Sequence, residues 1–124
     1  MSIYNTIGSY MKDCIFCKIA EKKAPASIIY EDDLSIAFKD INPQAPTHIL
    51  IIPKKHLRTV VEASEEDKEL LGHLIYVANT IANDLNVSNK GFRLVINCGS
   101  QSGQMVWHVH IHLLGGRHMT WPPG

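Results

Sequence analysis

His108-Val109-His110-Ile111-His112-Leu113-Leu114 alternates imidazole and aliphatic side chains until its last residue. A period of two is that of a β-strand, whose successive side chains leave on opposite faces. Read as one strand, the stretch places His108, His110 and His112 on one face, about 6–7 Å apart at the usual rise. Val109, Ile111 and Leu113 then point into a core. One strand histidine is ordinarily a hydrogen-bonded core residue; three of the chain's seven at spacing two indicate a working face. Just upstream, Asn97-Cys98-Gly99-Ser100-Gln101-Ser102-Gly103-Gln104 is a polar turn with two glycines, suited to offering backbone N–H groups to an anion. Imidazoles beside such a turn point to phosphate chemistry.

Working outward, Gly91 to Ile96 reads as the strand that delivers the chain to this turn, and Asn86 to Gly91 as the turn before it. A long helix is expected to begin near Ser64, with Ser64 and Asp67 at capping-box spacing and Glu65 and Glu66 at the positive end of its dipole. Leu70, Leu71, Leu74, Ile75, Ala78, Ile81, Ala82 and Leu85 form its expected buried stripe. His48 to Pro53 is a continuous apolar run, the pattern of a strand covered on both faces. Ser27 to Glu31 and Leu34 to Lys39 read as two further strands. Cys14 to Lys22 reads as a short helix closed by Pro25, with Ile15, Phe16 and Ile19 as its apolar face. Two prolines make residues 40–46 a shaped loop, and Gly115 to Gly124 has no regular pattern. The sum is an α+β domain with a five-stranded, mostly antiparallel sheet, one long helix and one short helix.

At 124 residues, 45% hydrophobic and 19% charged, the chain suits a single domain. Twelve basic and twelve acidic residues cancel, which argues against a nucleic-acid or membrane partner held by bulk charge. No apolar run approaches the roughly 18 residues of a membrane span. Residues 1–13 lack a continuous apolar core, so they read as a flexible arm rather than a secretory leader, leaving 14–124 as the domain. Three cysteines fit no disulfide framework and favour a reducing compartment, the cytoplasm first and the nucleus second. Lys54-Lys55 is read as solvated loop, and Cys98 as a loop residue without a special role.

The order His108-x-His110-x-His112-Leu113-Leu114 resembles the signature of the histidine triad (HIT) superfamily. Cys14-Ile15-Phe16-Cys17-Lys18-Ile19, residues 39–48, Ile52-Pro53-Lys54-Lys55-His56 and Leu113 to Arg117 resemble further family segments in the same order. The terminal Trp121-Pro122-Pro123-Gly124 is similar to that of the Hint branch, the histidine triad nucleotide-binding proteins. The resemblance implies a homodimer with its sheet continued between subunits and a purine nucleotide such as AMP in each site. It also implies hydrolysis of adenosine phosphoramidates to a nucleoside monophosphate and an amine, with no cofactor required for catalysis. His110 then matches the nucleophile, His112 a ligand of a phosphate oxygen or the leaving group, and Gln104 with Gly103 the stabilisers of transition-state charge. Asp40 matches the ribose ligand and Asn97 a position near sugar and phosphate. Ile15, Phe16, Ile19, Ile41 and Leu50 match the walls of the base pocket, each equally readable as core, and His48 a supporting position. Met105 and Val106 follow on the loop, and Trp121 matches a residue bordering the leaving group from the partner subunit.

Met105 stands where many Hint proteins carry serine. A thioether donates no hydrogen bond, so slower turnover or an altered leaving-group preference is expected. Cys14-x-x-Cys17 has the spacing of half a zinc site. The resemblance offers His56 and His108 as the other ligands of a structural zinc; two buried cysteines without metal is the competing reading. Three alternatives stay open: a dinucleoside polyphosphate hydrolase, a nucleotide-binding regulatory protein with weak catalysis, and a metal-dependent hydrolase with the three histidines as ligands.

Overall fold

The computed structural model describes residues 13–124; the expected N-terminal arm, Asp13 apart, lies outside them. Strands β1 (Ile28–Glu31), β2 (Ser35–Lys39), β3 (Thr47–Pro53), β4 (Phe92–Val95) and β5 (Ile111–Gly115) form one sheet in the order β1-β2-β3-β5-β4. Every neighbouring pair is antiparallel. The central β3 explains its unbroken apolar run. Ile49 and Ile51 enter a cluster with Leu74, Val77, Ala78, Ile81, Ile111 and Leu113, while Leu50 and Ile52 enter a second with Phe16, Ile19, Ile36 and Phe38. Helix α2 (Lys68–Asp84) covers the first face, and helix α1 (Ile15–Ala20) covers part of the second.

Boundaries move for local reasons. The capping box forms, with the Asp67 carboxylate accepting from the Ser64 N–H at 2.9 Å. Its first turn, Glu65–Asp67, is wound as a 3₁₀ turn, so α2 proper starts at Lys68. The buried face is Leu74, Val77, Ala78, Ile81 and Ala82, a strict i, i+3, i+4, i+7, i+8 set. Of the residues expected in the stripe, Ile75 is exposed because it lies about one residue's rotation off that face, and Leu85 because it is the C-cap, past the end of the helix. Helix α1 is shorter than expected: Cys14 is its N-cap, and Lys22 at φ +62° stops the chain before Pro25. Phe16, Cys17 and Ile19 are its buried face, and Ile15 turns outward.

The histidine strand also starts late. Pairing begins at Ile111, and the Val109 N–H donates to the Leu57 carbonyl at 2.7 Å instead of to a strand. The alternation survives: Val109 is buried in the α2 cluster, while the rings of His108 and His110 meet Phe16. At the far end of β5 a Cβ on Gly115 would lie 2.9 Å from Val87, and Gly116 has φ +89°. The basic pair is engaged locally, Lys54 with Glu31 at 2.8 Å and Lys55 with Asp67 at 2.6 Å. No helix among the described residues is long and apolar enough to cross a membrane.

Candidate active site and candidate metal centre

Sheet register sets out the working face. Leu50 of β3 and Val95 of β4 flank His112, and His48 and Arg93 flank Leu114 in the next row. Directly opposed residues share a face. The His110 ring lies 4.9 Å from that of His112 and 5.1 Å from that of Phe16, centroid to centroid.

Hydrogen bonds to main-chain groups fix the tautomers of His108, His110 and His48, and through His48 that of His112, because a carbonyl only accepts and an amide N–H only donates. His110 Nδ1 lies 2.7 Å from the His108 carbonyl, so Nδ1 carries the proton and Nε2 of the neutral ring keeps its lone pair. His108 Nε2 lies 2.8 Å from the Pro53 carbonyl, which leaves the Nδ1 lone pair of that ring available. The Gln44 N–H donates to His48 Nδ1 at 3.0 Å, so His48 carries its proton on Nε2. That N–H faces His112 Nδ1 at 2.9 Å, with the Asp40 carboxylate 3.4 Å away. His112 therefore accepts at Nδ1 and holds its proton on Nε2. An imidazole with a free lone pair stands beside one that presents an N–H.

Burial holds these rings neutral near pH 7. It is the first cause pushing His110 and His48 below the usual range; the His108 carbonyl opposes it at His110, and Asp40 opposes it at both. His112 is pushed down to about 4 by burial, then by His110 and His48.

The four residues offered as zinc ligands converge. Cys14 Sγ, Cys17 Sγ, His56 Nδ1 and His108 Nδ1 all lie within 4.8 Å of one another. Their close contacts are 3.0 Å between the two nitrogens, 3.1 Å from Cys17 to His56, and 3.4 and 3.5 Å from His108 to Cys14 and Cys17. A tetrahedron with zinc–nitrogen bonds of about 2.0–2.1 Å and zinc–sulfur bonds of about 2.3 Å has edges near these lengths. The donor set, two thiols and two imidazoles without an oxygen, fits zinc and not calcium or magnesium. Burial, then Cys14, pushes the Cys17 thiol up to about 12, and burial pushes His108 down to about 4. Bound cation reverses the first tendency, since thiolate is the ligating form. Histidines 108, 110 and 112 do not converge on one point. Among the described residues the other potential metal group is Asp40, His48 and His112.

The polar turn is tighter than its composition implies. Ser100–Ser102 is a 3₁₀ turn, and the N–H groups of Ser102, Gly103 and Gln104 close onto the carbonyls of Gly99 and Ser100. Gln104 is buried; its Oε1 accepts from the Gly99 N–H at 2.9 Å, and its Nε2 donates to the carbonyls of Arg58 and Val106 at 2.8 and 3.0 Å. With both Nε2 hydrogens committed, Gln104 acts by shaping the loop. Asn97 and Cys98 are half-buried at its start. Of the expected base-pocket residues, Phe16, Ile19 and Leu50 form one buried cluster with Val106 against it, whereas Ile15 is exposed and Ile41 is 98% exposed. Met105 is 88% and Trp121 81% exposed, the latter with its ring 6.0 Å from the Arg93 guanidinium carbon. Asp40 accepts from the Asn42 N–H at 2.8 Å, leaving lone pairs for a further donor.

Sequence reasoning missed the main-chain partners: the Pro53 carbonyl, the Gln44 amide, and the Leu57 and Arg58 carbonyls. No residue type signals them, because any residue supplies the same groups. It also missed His73 of α2, whose Nε2 lies 2.7 Å from the Asp32 carboxylate and ties the β1–β2 turn to the helix.

An antiparallel sheet bearing imidazoles of fixed tautomer on one face, with a long helix on the other, defines the class of protein. Its family follows from comparison: the HIT domain family matches residues 21–119, and the chain belongs to it. It is 55% identical to an uncharacterised HIT-like protein of Synechocystis over 91% of this chain and 98% of the relative. It is 52% identical to a 14 kDa zinc-binding protein of Zea mays over 89% of this chain and 87% of that one. Among solved structures, a HIT family hydrolase of Legionella pneumophila superposes with TM-score 0.89 at 52% identity, covering 90% of this chain and all of that one. A histidine triad nucleotide-binding protein of Candida albicans superposes with TM-score 0.76 at 29% identity, covering 89% and 83%.

Proposed function

We propose that this protein is a Hint-type purine nucleoside phosphoramidase, cleaving P–N bonds of adenosine phosphoramidates through a nucleotidyl-histidine. The observation that carries this reading is the complementary tautomer pair, a His110 Nε2 lone pair beside the His112 Nε2–H. His110 Nε2 attacks the α-phosphorus and forms an N–P bond. The bond to the leaving amine breaks, its electron pair departs with the nitrogen, and the nitrogen takes up a proton from solvent. The His110 Nδ1–H, held on the His108 carbonyl, disperses the positive charge gained by the ring. His112 Nε2–H binds a non-bridging oxygen or the leaving group. Water then attacks phosphorus, releasing nucleoside monophosphate and restoring the lone pair.

Asp40 receives the ribose hydroxyls through charge-assisted hydrogen bonds. The base lies against the Phe16, Ile19 and Leu50 side of the sheet. The zinc site is structural, since four protein ligands leave no open position for catalysis. The active unit is a homodimer continuing the sheet through a free edge; β1 and β4 are the edge strands. The relatives named as a hydrolase, a nucleotide-binding protein and a zinc-binding protein support this reading.

Hydrolysis of a fluorogenic adenosine phosphoramidate by wild type and His110→Ala, with AMP binding followed in both, tests it. Loss of turnover by roughly 10³-fold or more with binding kept is expected. Binding without hydrolysis in the wild type would overturn it in favour of a regulatory protein, and faster cleavage of a diadenosine polyphosphate would favour that hydrolase class. Met105→Ser, at an exposed loop position, is expected to raise the rate or change the preferred amine; identical kinetics would refute a role for this position.

A further inference from the structure

We infer that His108 is a positioning residue through which the Cys14–Cys17–His56 cluster controls the alignment of His110, so that metal loading acts on the rate of the chemical step more than on ribose binding at Asp40. The inference rests on the zinc and phosphoramidase readings above.

The peptide unit joining His108 to Val109 carries the argument. Its carbonyl accepts the His110 Nδ1–H at 2.7 Å and thereby aims the opposite ring nitrogen. Its N–H donates at 2.7 Å to the carbonyl of Leu57, the residue next to His56. On one side the unit continues into the fully buried His108 ring, held by the Pro53 carbonyl at Nε2 and facing the cluster at Nδ1. The carbonyl that aims the nucleophile is thus gripped through His108 and through the neighbour of His56.

Two further links run the same way. Phe16, between the two cysteines in sequence, packs edge-on against the rings of His110 at 5.1 Å and His108 at 6.0 Å. Arg58, two residues from His56, gives its carbonyl to Gln104 Nε2 at 2.8 Å, and Gln104 holds the 99–104 loop. Every donor of the cluster is therefore the residue, or lies within two residues of the residue, that touches His110, its carbonyl partner or the loop. Asp40 and His48 are attached elsewhere, through Asn42 and Gln44. The cluster grips the chemical half of the site and, through Phe16, one wall of the proposed base pocket.

Metal content and Co²⁺ uptake come first; the absorption of a tetrahedral thiolate site reports loading. Metal-stripped and reloaded protein are then compared in kcat and KM, in AMP affinity, and in the NMR resonance of the His110 Nδ1–H. Stripping is expected to lower kcat roughly 10- to 100-fold, to change AMP affinity less than kcat because Phe16 is also a wall of the proposed base pocket, and to shift or broaden that resonance, with reloading restoring all three. Val77→Ala, a core change on the opposite face, is the control for lost stability and should move neither kcat nor the resonance at temperatures well below its Tm. If the stripped chain unfolds, replacement of zinc by the larger Cd²⁺ provides a folded comparison in which both readouts move. Metal uptake with unchanged kcat and resonance would overturn the coupling while the zinc reading stood. Failure to take up Co²⁺ or Zn²⁺ would overturn both. The resonance reports on the coupling even if phosphoramidates prove not to be substrates.

Discussion

Cys14, Cys17, His56 and His108 bring four ligating atoms within 4.8 Å of one another, and Asp40, His48 and His112 bring three equally close on the same side of the sheet. The two groups differ in what the far nitrogen of each ring does. In the first, the Pro53 carbonyl takes the Nε2–H of His108 and leaves a lone pair facing two thiols. In the second, the Gln44 N–H occupies His48 Nδ1, so a proton sits on Nε2 where a metal would need a lone pair. The main-chain groups on His108 and His48 suit one cluster to caging a metal and make the other a hydrogen-bonded chain ending at His112. Proximity of histidines does not define a metal site; the partner on the second nitrogen does.

Breaking the cage is expected to have the largest effect on the fold. Cys17→Ala removes a buried donor and should lower stability by roughly 3 kcal/mol or more, about 10 °C in Tm, with loss of bound metal. A chelator should reproduce the shift in the wild type and leave the variant unmoved. An equal Tm for both proteins, with and without chelator, would place the second cluster on the same footing as the first. Breaking the hydrogen-bonded chain should instead cost activity. His48→Ala takes away the donor that sets the His112 tautomer, and kcat should fall roughly 10- to 100-fold with metal content unchanged. His48→Gln, which can offer an amide N–H, should recover part of that loss. If Ala and Gln behave alike, the tautomer argument fails.

How much of this could be read in the sequence follows from the same contrast. Side-chain pattern revealed the sheet, the two faces of β3 and the Cys14–Cys17 half of the cluster, because Cys-x-x-Cys is an unusual spacing; His56 and His108 came from the family resemblance. It overran the histidine strand by three residues, since nothing in His108-Val109-His110 discloses that the Val109 N–H turns to Leu57. It placed Ile75 in the helix core because hydrophobicity alone does not say which of two adjacent rows faces the sheet, and Leu85 because it does not mark where the helix ends. The resemblance makes Gln104 a stabiliser of transition-state charge, but two carbonyls take the hydrogens of its amide. Main-chain partners decide the outcomes at Val109 and Gln104, and a sequence carries no mark of them.

The smallest expected effect separates the clusters by pH. His112 is pushed down to about 4, chiefly by burial, and His48 is pushed down for the same reason, Asp40 opposing in both. An unfolded histidine titrates near 6.5. Below that value the unfolded chain binds protons that the native rings refuse, so stability is complete above about pH 7 and falls as the pH drops from about 6.5 toward 4. With metal bound, the rings of His56 and His108 titrate against metal release instead. Urea midpoints from pH 8 to 4.5 on loaded wild type and His112→Asn should therefore run parallel above pH 7. Below 6.5 the wild type should fall more steeply, by less than one proton's worth of slope. Parallel curves throughout would mean that His112 is no harder to protonate in the fold than out of it, and that the neutral, N–H-presenting ring is not what burial maintains.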